Sequence, residues 1–190
     1  TLSTIALYPQ IFVWFRSFFR RCFVQFDVNI SFSNCDINNN MIQGGSGGGI
    51  FCYDANASIN DCNISGNSAG EDGGGIYCEN SEPNITDSTI TNCFASFGAG
   101  ICSIESSPEI VNNEISDNVA VFGGGGIFCY GGMPIIGNNR ITYNYHSGIY
   151  SYESSPTINN NIIAGNEGFL SGGIACDANS AVTTVPLTFE

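Results

Sequence analysis

The chain has 190 residues, a length that fits one domain able to bury a core. Its 17 acidic residues outnumber four basic ones, and the net charge of −13 disfavours nucleic acid as a partner. The mean hydropathy is +0.08, and no apolar run is long enough for a transmembrane helix.

Residues 1–21 are aromatic and basic, whereas the remainder has one arginine against all 17 acidic residues. A helical spacing links Ile11, Trp14, Phe15, Phe18 and Cys22. This pattern favours an amphipathic helix that caps the open end of the following structure. A membrane-surface helix and a segment foreign to the rest of the chain are the alternatives.

A repeat of about 25 residues occupies residues 22–177. Successive Gly-Ile pairs place their isoleucines 26, 25, 26, 22 and 25 residues apart. This first column consists of Ile50, Ile76, Ile101, Ile127, Ile149 and Ile174, with Phe23 ahead of Ile50. The second column consists of Ile59, Ile85, Ile110, Ile136 and Ile158. The third consists of Ile64, Ile90, Ile115, Ile141 and Ile163.

Each repeat therefore has three apolar pieces, too short for helices and separated by turn residues. Alternation within the pieces is typical of strands. The sequence predicts an all-β parallel β-helix, a three-sheet solenoid of about six coils. Residues 178–190 have a weaker repeat and are interpreted as a C-terminal tail or the start of further sequence.

Asparagines and cysteines follow the same columns. Asparagine recurs three residues after third-column isoleucines, at Asn40, Asn67, Asn118, Asn144 and Asn166, with Cys93 replacing it in one coil. Stacked asparagine side chains can form a hydrogen-bonded ladder. Cysteines expected to point inward as small apolar side chains are Cys35, Cys52, Cys62, Cys78, Cys129 and Cys176. The paired spacing that zinc requires is absent from the sequence, whereas disulfides between adjacent coils remain an alternative.

The chain resembles the right-handed parallel β-helix repeats of the pectin-lyase-like superfamily over roughly residues 22–177. The matching segments are Gly-Gly-Gly-Ile-Phe-Cys at 47–52 and 124–129, Gly-Gly-Gly-Ile-Tyr-Cys at 73–78, and Glu-Ser-Ser-Pro-x-Ile at 105–110 and 153–158. The pairing of Gly-Gly-x-Ile with Ile-x-x-Asn is also partly similar to the repeats of chlamydial polymorphic membrane proteins. The resemblance implies a right-handed solenoid, and one such fold hosts many activities.

Acidic residues recur four residues after a first-column residue, at Asp27, Asp54, Glu105 and Glu153, and three residues after one, at Glu79 and Asp177. Gly131 interrupts this acidic column. Stacked coils would place neighbouring carboxylates about 5 Å apart, a separation suited to glycoside hydrolysis. If the protein is an enzyme, Glu79 and Glu105 are the predicted catalytic residues. Asp54, Glu79 and Glu105 are also candidates for Ca²⁺ binding. A solvated row that keeps the rod soluble is the simpler interpretation.

The repeat is broken once, between Asn144 and Gly148, where the turn is about four residues shorter. This turn contains Tyr145 and His146, the only histidine, which are candidates for ligand binding. The pectin-degrading families carry aspartate pairs with Gly-His-Gly or an arginine motif. His146 is flanked by Tyr145 and Ser147 instead, which disfavours polysaccharide cleavage.

A row of aromatic residues directly follows the first-column isoleucines: Phe51, Tyr77, Phe128 and Tyr150. If this row is exposed, it would suit stacking on sugar rings or contact with another protein; the alternative is that loops fold over it.

We therefore expect a secreted or cell-surface module that binds or displays without catalysis, with a polysaccharide or a surface protein as its partner and without a cofactor. A polysaccharide lyase or glycoside hydrolase, and a purely structural stalk, are the alternative functions.

Overall fold

A computed structural model describes residues 22–25 and 30–185 of the chain, with side chains for residues 30–183. Within these residues every regular element is a β-strand, and the strands pair in parallel into four sheets. The predicted capping helix in residues 1–21 lies outside the described residues, as does Asp27.

Three sheets run the length of the solenoid. The first sheet contains β1 (Cys22–Gln25), β5 (Ile50–Tyr53), β9 (Ile76–Glu79), β13 (Ile101–Ile104), β17 (Ile127–Tyr130), β20 (Ile149–Tyr152) and β23 (Ile174–Cys176). The second contains β2 (Ser31–Ser33), β6 (Ser58–Asn60), β10 (Asn84–Thr86), β14 (Glu109–Val111), β18 (Ile135–Gly137), β21 (Thr157–Asn159) and β24 (Thr183–Val185). The third contains β3 (Asp36–Asn38), β7 (Asn63–Ser65), β11 (Thr89–Thr91), β15 (Glu114–Ser116), β19 (Arg140–Thr142) and β22 (Ile162–Ala164).

The predicted isoleucine columns are confirmed by strand register. In the first sheet Ile101 pairs with Ile76 on one side and Ile127 on the other. The second sheet pairs Ile110 in the same way with its neighbours, and the isoleucines of the central coils are fully buried. Because apolar side chains alternate with polar ones along each short strand, one face of every sheet turns inward and the columns form one core.

A fourth, shorter sheet was not predicted. It contains β4 (Met41–Ile42), β8 (Ser68–Ala69), β12 (Phe94–Phe97) and β16 (Val119–Gly123). Its inward residues Ile42, Ala69, Ala95 and Ala120 form a separate small core together with Ala99, which follows β12. Its strands escaped prediction because two of them have only two residues and the inward positions are mostly alanine, which gives little apolar signal.

Corners between the sheets use residues that tolerate a left-handed backbone. Between the second and third sheets, the column of Asn34, Asp61, Asp87, Asn112, Asn138 and Asn160 has φ values of 51–59°. Asparagine and aspartate adopt this conformation more readily than other residues with side chains. This requirement accounts for the high asparagine content of the sequence.

The asparagine ladder is confirmed. Asn40 donates to Asn67, and Asn118 donates to Asn144, which donates to Asn166, at 2.9–3.0 Å between amide nitrogen and oxygen. Cys93 takes the expected place: its backbone N–H donates to Oδ1 of Asn118 at 3.0 Å. A second ladder that was not predicted runs through Asn113, Asn139 and Asn161 at the preceding corner.

Two predicted positions were wrong. Cys22, not Phe23, pairs with Ile50, so β1 is shifted by one residue from the predicted column. Cys176 is exposed rather than buried, because β23 is the last described strand of the first sheet and no further described strand pairs with it. The other inward first-sheet cysteines, Cys52, Cys78 and Cys129, are fully buried. Pairing continues past residue 177, since β24 extends the second sheet.

Candidate functional site

The predicted aromatic row lies on the outer face of the first sheet but is partly covered. Tyr77 is 8% exposed and Phe128 is 7% exposed, while Phe51 and Tyr150 are half-buried. Cys102 lies in the same row and is fully buried. The sequence left open whether this row is covered, and its centre is covered. Ligand binding by these four aromatic residues stays a prediction, and Tyr77 and Phe128 offer little surface for it.

The cover comes from the fourth sheet. β16 is longer than β12, and the register shifts between Ala95 and Phe97. The ring of Phe97 lies 4.8 Å from that of Phe128, centroid to centroid, and Phe122 packs on Phe97 at 5.4 Å. At Gly123 an added Cβ would lie 2.5 Å from Cδ1 of Tyr150, so the ring occupies that space. The covered row is thus a second apolar cluster outside the solenoid core.

Two carboxylates reach the covered row. The hydroxyl of Tyr77 donates to Oε2 of Glu79 at 3.0 Å, and burial and Glu79 together raise the pKa of Tyr77 well above its usual range. Asp72 accepts a hydrogen bond from the backbone N–H of Phe97 at 3.1 Å, and its burial raises its pKa. Burial also raises the pKa of Cys102, with a further contribution from Asp72. Glu79 is therefore a partner of the covered row.

The acidic residues after the first sheet fall into two columns. Glu79 ends its strand and is in register with Ile104, whereas Asp54, Glu105 and Glu153 lie one position later, at the corner. These three have φ values of 46–49°. Glu79 and Glu105 consequently do not share a column, so they are not the stacked pair that the repeat suggested. Their catalytic role stays a prediction.

Glu105, Glu153, Tyr130 and Tyr152 form a surface that we call the tyrosine–carboxylate edge. The rings of Tyr130 and Tyr152 stack at 5.7 Å with an interplanar angle of 19°, and Tyr152 is 38% exposed. The charge of Glu153 raises the pKa of Tyr130, with smaller contributions from burial and from Glu105. Polar and aromatic groups thus converge on the accessible side of the first sheet.

A glycine makes room at the centre of this edge. Gly131 lies between Glu105 and Glu153 in the corner column, with a φ of 65°. An added Cβ there would lie 2.6 Å from Oε2 of Glu105, so the carboxylate occupies the place of the missing side chain. Sequence reasoning did not select Glu153 or the two tyrosines as site residues. The break in the acidic column at Gly131 was the signal that could have located them.

The shortened turn places its residues on a different face. Tyr145 is 50% exposed and forms isolated parallel β-bridges with Val119 and with Glu167. These bridges continue the outer row of the fourth sheet. His146 contacts the edge of Tyr145 at 5.2 Å between ring centroids. Phe94, Val119 and Tyr145 form an exposed apolar row there. Tyr145 and His146 therefore belong to a surface separate from the tyrosine–carboxylate edge, and their role in binding stays a prediction.

Among the residues whose side chains are described, no three of His, Cys, Asp or Glu lie together in a way that would hold a metal ion. The geometry therefore adds no support for calcium at Asp54, Glu79 or Glu105. No helix in the described part of the chain has the length and apolar character needed to cross a membrane.

Among known protein families, the family model described as the right-handed β-helix region matches residues 48–188, well over half of the chain. No curated protein and no solved structure matches it. The finer resemblances, to pectin-lyase-like enzymes and to chlamydial surface repeats, stay predictions. The stacked parallel sheets, the inward isoleucine columns and the family match agree, and the chain belongs to the right-handed β-helix family.

Proposed function

We propose that this protein is a non-catalytic, secreted or cell-surface module that binds neutral glycans at the tyrosine–carboxylate edge. The observation that carries the proposal is the stacked pair of Tyr130 and Tyr152 with two carboxylates beside it. Tyrosine rings stack on the apolar face of a sugar, and carboxylates accept hydrogen bonds from its hydroxyls. Such a combination suits a site with a few polar groups around aromatic surface.

Charge selects among glycans. Only one arginine but all 17 acidic residues lie after residue 21, and Glu105 and Glu153 flank the tyrosines. An acidic polysaccharide would meet like charges along this edge, which disfavours its binding. A neutral polysaccharide meets no such penalty, and we expect it to be the preferred class.

Binding to a panel of neutral and acidic polysaccharides, with and without Ca²⁺, tests the proposal. Tyr152→Ala removes an exposed ring without opening the core, and we expect at least a tenfold loss of affinity for the neutral ligand. Tyr145→Ala is the matched control, since it removes a tyrosine that is more exposed than Tyr152 from another face. Equal losses in both variants, or binding of acidic polysaccharides alone, would contradict the proposed site.

Glycoside hydrolysis is a second candidate, and one observation favours it. Glu105 and Glu153 lie two coils apart, about 10 Å between Cα atoms, and the side chain of Glu105 extends over Gly131 between them. Inverting hydrolases separate their two carboxyl groups by about 6.5–9.5 Å. Reducing ends released by the wild type and lost in both Glu105→Gln and Glu153→Gln would favour this candidate over simple binding.

A further inference from the structure

Two pairs of cysteines are stacked between adjacent coils. Cys52 is in register with Cys78 in the first sheet. At the corner before the third sheet, Asp36 is in register with Asn63, which places the preceding residues, Cys35 and Cys62, opposite each other. The backbone N–H of Asn63 donates to the carbonyl of Cys35 at 2.9 Å, joining these coils at the cysteines. All four side chains are free thiols.

The corner pair has a geometry suited to a disulfide. Adjacent coils are about 4.8 Å apart, inside the range of Cα separations that disulfides span. Both thiols make the same local hydrogen bond: Cys35 donates to the carbonyl of Ser33 at 3.4 Å, and Cys62 donates to that of Asn60 at 3.3 Å. Their sulfurs therefore lie side by side in the same orientation.

The two pairs differ in access. Cys35 is half-buried and Cys62 is 3% exposed, whereas Cys52 and Cys78 are both fully buried in the core. Burial also raises the pKa of Cys62, which keeps it protonated and slow to react on its own. Of these four thiols, a reagent in solution can reach Cys35 first, and it can reach neither member of the core pair.

We propose that Cys35 and Cys62 form a thiol–disulfide site that a small-molecule disulfide oxidises in the folded protein. The thiolate of Cys35 attacks one sulfur of oxidised glutathione, forming a mixed disulfide and releasing one glutathione thiolate. Cys62 loses its proton to solvent, attacks the Cys35 sulfur and releases the second glutathione. Two electrons pass from the protein thiols to glutathione, and one Cys35–Cys62 bond joins adjacent coils.

This bond would close a loop of about 27 residues at one end of the described stack, where β7 is the only described strand that pairs with β3. Fewer unfolded conformations are open to a chain closed in this way. Oxidation should therefore raise the midpoint of thermal unfolding.

The test incubates the full chain with oxidised glutathione at about pH 8, near the ordinary pKa of a thiol. Peptide mapping then follows each cysteine over time. We expect a Cys35–Cys62 linked peptide to form at least tenfold faster than a Cys52–Cys78 peptide, and the unfolding midpoint to rise. In Cys62→Ser, glutathione should remain attached to Cys35; in Cys35→Ser, Cys62 should stay unmodified. Serine is tolerated in this column, since Ser88 occupies it in the next coil and accepts from the N–H of Cys62.

Three results would overturn the proposal. The first is retention of both thiols in folded protein under conditions where the unfolded chain forms disulfides. The second is a Cys52–Cys78 bond that forms as fast as the Cys35–Cys62 bond, because accessibility would then not control oxidation. The third is a glutathione adduct on Cys35 that persists in the wild type, which would mean that the two sulfurs do not meet.

Discussion

The side-chain amide of Asn118 donates to Oδ1 of Asn144 in the next coil, at 3.0 Å. The same amide donates to the carbonyl of Ile90, and Oδ1 of Asn118 accepts from the backbone N–H of Cys93, each at 3.0 Å. One buried side chain therefore joins three successive coils. In the described part of the chain no buried side-chain nitrogen or oxygen lacks a hydrogen-bond partner.

Replacing Asn118 with Ala should destabilise the protein strongly. The change leaves the buried N–H of Cys93 and the carbonyl of Ile90 without their partner, and each unsatisfied group costs about 1–3 kcal/mol. We expect the free energy of unfolding to fall by at least about 2 kcal/mol in chemical denaturation. Asn166→Ala, at the less buried end of the ladder, should lower the free energy of unfolding by a smaller amount. Equal effects at both positions would argue against burial as the source of the ladder's stability.

Gly100 should not tolerate alanine. An added Cβ would lie 2.5 Å from the carbonyl oxygen of Gly126 in the next coil and 3.1 Å from Cγ2 of Ile115. Overpacking of this kind costs about 1–3 kcal/mol. Gly44 is the matched control, because an added Cβ there meets no atom within 4 Å, and Gly44→Ala should change stability by less than about 0.5 kcal/mol. Thermal unfolding of both variants provides the comparison.

His146 occupies a corner where neighbouring coils have glycine. It is opposite Gly124, and both have left-handed backbones, with φ values of 70° and 60°. This conformation strains a residue with a side chain but not glycine. We expect His146→Gly to raise the free energy of unfolding by about 0.5–1 kcal/mol. This gain is the backbone strain relieved in the folded state minus the cost of the extra conformational entropy that glycine has in the unfolded state.

Gly124→Ala should have the opposite effect at the equivalent position. Its Cβ would lie 2.5 Å from the carbonyl oxygen of Ile127. Parallel denaturation curves of this variant and His146→Gly test the sign of each change. A stabilising Gly124→Ala would contradict the role assigned to this corner.

The effect of Asp72 on stability should depend on pH. Burial raises its pKa in the folded state, so folding favours the protonated form. The stability that the protonated carboxyl contributes is fully present below the pKa of about 3.9 in the unfolded state, and it is lost as the pH rises through the pKa in the folded state. Asp72→Asn should therefore be more stable than the wild type at neutral pH, with the difference disappearing in acid. Denaturation midpoints across this pH window measure the difference.

Asp177 is the matched control with the opposite sign. A hydrogen bond from Ser180 lowers the pKa of Asp177 in the folded state. The stability that the ionised carboxylate contributes is therefore present above the pKa of the unfolded state, and it is lost as the pH falls through the pKa of the folded state. Asp177→Asn removes the same charge and should reduce stability at neutral pH. A gain in both variants would instead indicate general relief of the net negative charge.

The candidate site was only partly predictable. Glu105, Glu153 and the tyrosines all appear in the repeat, and the spacing already separates Glu79, three residues after its isoleucine, from Glu105, four residues after its own. Glu79 was nevertheless predicted to act together with Glu105. In the structure Glu79 ends its strand and accepts from Tyr77, while Gly131 opens the space that Glu105 fills. A difference of one residue in register moves a side chain from the strand to the corner, and the groups that it then contacts depend on the tertiary structure.

The sequence by itself determined the parallel solenoid, the three isoleucine columns and the asparagine ladder. These features recur in nearly every coil, and each depends only on the alternation of a strand and on stacking against a similar neighbour. Only the tertiary structure decided that Phe97 covers Phe128, that the short fourth sheet exists and that Cys176 is exposed. Those features depend on a bulge in one coil or on the last described strand, where the environment is no longer set by the repeat.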